Sequence, residues 1–251
     1  MKRLNQRLEV VKLKKEQLDG FRPLSSALVN NLSQWFTVEL THTSTAIEGN
    51  TLTRSETAAV LEKGITVAGK SLKDHLEVTN YGIALNFIHD VVAQKRADIT
   101  LNTLLDIHRI ILKSIDDDHA GALRKIAVRI AGSTLVLPDP VKVPDLMNEF
   151  IQWLSMVQEN PIIVSAQAHL RLVSIHPFVD GNGRTARLLM NLLLMQQGYP
   201  PAIIRMEDRP AYLNALSKAD QTGDSDDFCI LVASAVERSL DIYLDAVRKS
   251  M

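Results

Sequence analysis

The chain has 251 residues, 46% hydrophobic and 23% charged, enough to build one large domain with a substantial core. Its 28 basic and 29 acidic residues leave a net charge of −1, which excludes a global drive toward nucleic acid or an acidic membrane but leaves a local basic site open. The single cysteine, Cys229, excludes an intrachain disulfide, fits a reducing compartment and, inside "DDFCILVASAV", reads as a small core residue.

The opening stretch "MKRLNQRLEVVKLKKEQ" lacks the apolar region of a signal peptide, and the longest apolar run, residues 188–195, is far short of a bilayer span. The expected location is the cytoplasm. From Pro23 onward helical periodicity dominates. Leu28, Val29, Leu32, Trp35 and Phe36 form one stripe of a helix that Gly49 should stop. "TRSETAAVLEKG" opens with a Thr53/Glu56 capping box and ends at Gly64. Long helices follow from Ser71 and, capped by Thr100, from residue 101. "LRKIAVRIAGSTLVLPDP" alone has strand character. Ile126, Val128 and Ile130 alternate, Gly132, Ser133 and Thr134 supply a turn, and Leu135, Val136 and Leu137 return before Pro138 and Pro140, so a β-hairpin is predicted over residues 124–140. Five further helical segments complete the chain, the last starting near Asp226 or Asp227. The predicted fold class is mostly α with this one hairpin. The loop at residues 63–71 is the only plausible boundary, separating an N-terminal helical region, 1–70, from the rest, 71–251.

Within that loop, Gly64 to Ser71, "GITVAGKS", satisfies the phosphate-loop pattern G-x-x-x-x-G-K-[ST]. The mechanism needs a buried strand feeding the loop. The segment before it is polar, capped and helical, and no strand–helix alternation occurs elsewhere, so Gly64 is read as a helix C-cap and Ser71 as a helix start.

The stretch "HPFVDGNGRTAR", His176 to Arg187, is different. Pro177 pushes His176 out of helical geometry. Gly181-Asn182-Gly183 can form a nest of N–H groups, and a helix starts at once behind it. Arg184 and Arg187 then stand at the helix end where cations oppose the dipole. They make sense there if an anion sits among them. Asp180 offers a hard oxygen where Mg2+ bridging two phosphates would be held, and His176 can take a proton near neutral pH. The set suits transfer of a phosphate-containing group from a nucleotide to a hydroxyl.

These residues resemble the Fic signature H-x-F-x-[DE]-G-N-G-R-x-x-R, matched at His176, Phe178, Asp180, Gly181, Asn182, Gly183, Arg184 and Arg187. The resemblance implies a Fic-type helical fold with a β-hairpin flap beside the active site. It implies transfer of AMP from ATP to a Ser, Thr or Tyr hydroxyl of a target protein, the chain itself included. His176 would be the base and Asp180 the Mg2+ ligand. Gly181, Asn182, Gly183 and Arg184 would bind phosphates, Arg187 would orient the γ-phosphate and Phe178 would anchor the loop. Tyr212 stands where the family tends to place an adenine-pocket aromatic, and Asp220 where relatives often carry Asn, which departs from the pattern at the adenine. Upstream, "STAIEGN", Ser44 to Asn50, is similar to the inhibitory motif [ST]-x-x-x-E-[GN]. Its Ser44 and Glu48, four apart, share a helix face, and the resemblance implies that Glu48 pairs with Arg187 in place of the γ-phosphate. Two alternatives stay open: Glu48 serving a hydrolase that removes AMP, and a nucleotide-binding regulator with little turnover. No membrane or nucleic-acid partner is indicated, and the oligomeric state, a homodimer included, is left open.

Overall fold

The computed structural model of the protein describes residues 2–94, 98–130 and 135–250. Among these, ten α-helices and two short 3-10 turns account for the regular structure.

The first helix, α1 (Lys2–Asp19), falls where no element was predicted. Its apolar positions are sparse: Leu4, Val11 and Leu18 are buried seven residues apart, with Leu8 partly buried between them. That heptad-like stripe lies along α10 (Asp226–Lys249). Ion pairs flank it, Arg7 to Glu237 at 2.5 Å and Lys14 to both Glu237 and Asp241. The long helix α2 (Ser26–Ile47) is capped by Ser25 and closes on Glu48 and Gly49, the latter at φ 100°. Of its predicted stripe, Leu32 and Phe36 are buried while Val29 is exposed.

The capping boxes of α3 (Arg54–Lys63) and α4 (Leu72–Ala93) are both formed, and Gly64 ends α3 in the left-handed region at φ 64°. A helix therefore runs into residues 64–71 where a phosphate loop requires a strand. Lys70 spends its ammonium on the Thr51 carbonyl and Glu56. Thr100 caps α5 (Leu101–Leu112) as predicted. Three helices, α6 (Val143–Met156), α7 (Pro161–Ile175) and α8 (Asn182–Gln196), lead to α9 (Arg209–Thr222) and α10. The last helix starts at Asp226.

The hairpin prediction is corrected. Among the described residues there is no strand; 124–130 and 135–139 carry no regular structure, and the proposed turn at Gly132, Ser133 and Thr134 lies outside the described residues. The reason is visible at Arg124. Its guanidinium donates to the carbonyls of Ile126 and Pro138, at 3.1 and 2.6 Å, taking acceptors on both arms. Of the alternating apolar side chains, Ile126 and Val136 are exposed and Val128, Ile130, Leu135 and Leu137 only partly buried, so no ladder face is covered.

Helix α8 is the axis of the molecule. It packs on α2, α4, α5 and α7, which is why its apolar run shows no polar face. Leu188, Leu189 and Leu192 belong to one core with Leu32, Phe36, Leu85 and Ile107, and Met190 and Leu194 to a second with Val11, Phe228 and Val236. The one buried polar group in that run, Asn191, is satisfied by the Ala202 backbone, accepting at 2.7 Å and donating at 3.3 Å. The α2–α8 contact belongs to the first core, so the N-terminal helical region shares a core with the rest of the chain. No helix of the described residues is long and apolar enough to cross a membrane.

Candidate active site

The loop between α7 and α8 is built by hydrogen bonds rather than by burial alone. Helix α7 ends at His176, which sits in the left-handed region at φ 51° and gives its N–H to Leu172. Phe178 is fully buried, and its ring stacks on His108 of α5 with centroids 3.7 Å apart. Asn182 closes the loop on itself, accepting from the Phe178 N–H and donating to the Phe178 carbonyl, both at 2.9 Å. Its side-chain amide is thereby engaged in shaping the loop. Gly181, at φ 78°, has a structural reason to be glycine: a Cβ there would lie 3.1 Å from Ile111 and 3.3 Å from His108.

His108 was not singled out from the sequence, yet it organises this loop. Its Nδ1 accepts from the Gly121 N–H at 2.9 Å, so Nε2 carries the proton and donates to the Asp180 carbonyl, also at 2.9 Å. Burial, reinforced by the charge of Arg184, pushes its pKa down to about 4. Folding then depends on pH in a definite sense. Between that value and the ordinary 6.5 the unfolded chain holds a proton that the folded chain refuses, so stability rises with pH across this window. It should be lost as pH falls from 6.5 toward 4, by about 3 kcal/mol at most for this group. Melting temperatures at pH 7 and pH 5 should therefore fall further for the native chain than for His108→Gln; equal slopes would contradict the assignment.

His176 is half-buried, and its Nδ1 lies 3.3 Å from the Val173 carbonyl, so Nδ1 is the donor and Nε2 keeps its lone pair. Burial lowers its pKa, with the Arg124 charge acting in the same direction, and this keeps the ring neutral. The Arg124 Nε–H donates to the His176 carbonyl at 2.7 Å and the Arg124 backbone N–H to the Pro177 carbonyl at 2.8 Å, so a buried arginine ties Ile126 and Pro138 to the loop.

The two arginines of α8 are both buried and both meet carboxylates. Arg184 Nη1 lies 3.4 Å from Glu77 Oε1, and Arg184 Nη2 lies 3.3 Å from Asp180 Oδ2. Glu77, on α4, is a second residue the sequence reading missed; its other oxygen accepts from Asn50 at 2.9 Å. Asp180 itself remains largely exposed, one oxygen accepting from the Gly181 N–H at 2.6 Å.

Arg187 meets the C-terminal turn of α2. Its Nη2 donates to Glu48 Oε1 at 2.7 Å and to the Ser44 carbonyl at 2.9 Å, and its Nε donates to Ser44 Oγ at 2.8 Å. Burial disfavours its charge, but the Glu48 carboxylate together with Tyr212 and Tyr81 outweighs this and raises its pKa. The Glu48 carboxylate also covers the first turn of α8: a Cβ at Gly183 would lie 2.5 Å from Glu48 Oε1 and 3.1 Å from Arg187 Nη1. Glycine at 183 therefore lets an anion approach the backbone N–H groups that a helix start leaves without intrahelical partners.

Tyr212 is placed differently from the expected adenine-pocket aromatic. Only 2% exposed, it packs with His169 and Phe228, so its ring offers no open face to a base. Its hydroxyl accepts from Arg187 Nη1 at 3.2 Å. Burial raises its pKa, which keeps the hydroxyl protonated. Ser44, Glu48, Gly183, Arg187 and Tyr212 thus converge on one spot, with Asp180, Arg184 and His176 along the same loop.

Residues 98–194 match the Fic/DOC family. A structure of a Fic-1 segment from C. elegans is 32% identical and superposes with a TM-score of 0.90, over 99% of this chain and 74% of that one. The chain belongs to the Fic family. A Fic domain containing signaling protein from Bacteroides thetaiotaomicron superposes at 0.86 with 27% identity, over 97% of this chain and 98% of that one. Protein adenylyltransferase Fic of Drosophila grimshawi is 39% identical over 92% of this chain and 47% of its own length. The counterpart from Aedes aegypti is 38% identical over 95% and 48%. The chain spans about half the length of these curated relatives.

Proposed function

We propose that the chain is a protein adenylyltransferase that moves AMP from ATP to a hydroxyl of a target protein and is restrained by its own Glu48. The observation that carries this reading is the Glu48 carboxylate seated against Arg187 and over Gly183, on groups suited to a phosphate. The adenylyltransferase names of the relatives support it.

In the reaction, the lone pair on His176 Nε2 accepts the proton of the target hydroxyl as its oxygen attacks the α-phosphorus. The bond from that phosphorus to the bridging oxygen breaks, and pyrophosphate leaves with the electron pair. AMP remains as a phosphodiester on the target. The first turn of α8, Gly181 to Gly183, and Arg184 hold the phosphates, and Arg187 takes the γ-phosphate once Glu48 withdraws. Asp180 fits a Mg2+ ligand, since it is exposed and carboxylate-bearing beside the phosphate site. Among the described residues no group of three or more His, Cys, Asp or Glu could hold a metal by itself, and Asp180 is the carboxylate the chain would contribute. Bound there the cation would neutralise phosphate charge. In this scheme residues 1–70 regulate and 71–251 catalyse, and no step requires a second copy of the chain.

Incubating Glu48→Gly protein with ATP tagged on the α-phosphate, alone and in a lysate, tests this directly. Label should appear on protein well above the level given by the native chain. Equal labelling by both would remove the restraint from the account, and absence of label with both would remove the transfer.

A further inference from the structure

Arg187 donates four hydrogen bonds, and three of them go to α2, to Ser44 Oγ, the Ser44 carbonyl and Glu48. The restraint that blocks the site is therefore also most of what holds this arginine in place. When the end of α2 moves away, the bond that does not depend on α2 is the fourth, from Nη1 to the Tyr212 hydroxyl on α9.

That hydroxyl is itself fixed from behind. It lies 3.1 Å from His169 Nε2 on α7, and Tyr212 and His169 are both buried against Phe228. Burial, with the Arg187 charge nearby, lowers the His169 pKa; because Arg187 already donates to the Tyr212 oxygen, the hydroxyl proton is left to face Nε2, which puts the ring proton on Nδ1, a buried atom without a hydrogen-bond partner. The Tyr212 hydroxyl then donates its proton to His169 and presents its oxygen to Arg187. Neither residue touches the position of the α-phosphorus chemistry at His176; both act through Arg187.

We infer that Tyr212, backed by His169, is the positioning residue that keeps Arg187 aimed at a γ-phosphate after Glu48 leaves, and thereby sets preference for a nucleoside triphosphate over a diphosphate. This rests on the nucleotide reading of the site. It replaces the role of adenine contact expected for Tyr212 with one directed at the far end of the nucleotide.

The test is the affinity of ATP and of ADP, each with Mg2+, for Glu48→Gly and for Glu48→Gly/Tyr212→Phe, by titration calorimetry, with thermal melts showing that both fold. Adding Tyr212→Phe should weaken ATP about tenfold, the loss of one hydrogen bond to a charged group, and ADP less than about twofold. His169→Leu, which removes the acceptor but leaves the hydroxyl, should shift the ATP to ADP ratio in the same direction. An unchanged ratio, or an equal loss for both nucleotides, would overturn the inference while leaving the nucleotide reading intact. Failure of Glu48→Gly to bind ATP at all would overturn both.

Discussion

Replacing His176 with alanine in the Glu48→Gly protein should cut AMP transfer by roughly a hundred- to ten-thousandfold, the usual reach of a positioned general base. ATP binding should change little, because the phosphates are held by Gly181 to Gly183, Arg184 and Arg187 rather than by the imidazole. The substitution is also mild for the fold. His176 occupies a left-handed backbone position, φ 51°, which alanine tolerates only somewhat less well than histidine, and its one side-chain hydrogen bond is the long contact to Val173. Initial rates of label incorporation, set beside ATP affinity by calorimetry, separate the two effects. Loss of binding in parallel with rate would give His176 a structural role, and an unchanged rate would remove it as the base.

Arg124→Ala should be the most damaging substitution in the loop region. The side chain is buried and donates to three carbonyls, those of His176, Ile126 and Pro138. Alanine leaves those acceptors without their charged donor and opens a gap beside the catalytic loop. The expected cost is about 3 kcal/mol, which for a chain of this size lowers the melting temperature by roughly 6–12 °C. Transfer by Glu48→Gly should fall as well, since Ile126, Pro138 and His176 are fastened through the same guanidinium. A melting temperature within about 2 °C of the parent would show that these bonds carry little of the fold.

What could be read in the sequence was what is local. The Thr53 capping box, the Gly64 stop and the helix start at Ser71 each depend on residues within four positions, and each is formed as written. The signature loop was legible for the same reason: its glycines, Asn182 and arginines lie within twelve residues. The missed pieces depend on partners far away in the chain. Helix α1 has too few apolar residues to declare itself, and its stripe acquires meaning only against α10. His108 and Glu77 look like ordinary polar residues of their helices, yet they close on Asp180, Arg184 and Asn50 across long separations. The hairpin was misread because alternation at Ile126, Val128 and Ile130 reports β propensity, not the presence of a ladder, and Arg124 claims carbonyls on both arms. Nothing local to Tyr212 foretells that its hydroxyl sits between Arg187 and His169.

The central claim is the transfer itself, and product accounting on Glu48→Gly tests it most directly. With ATP, Mg2+ and a labelled target, pyrophosphate and protein-bound AMP should appear in equal amounts, the adduct identified by mass on a Ser, Thr or Tyr, and both should vanish with His176→Ala. Pyrophosphate without an adduct, or the γ-phosphate on protein in place of AMP, would contradict the account.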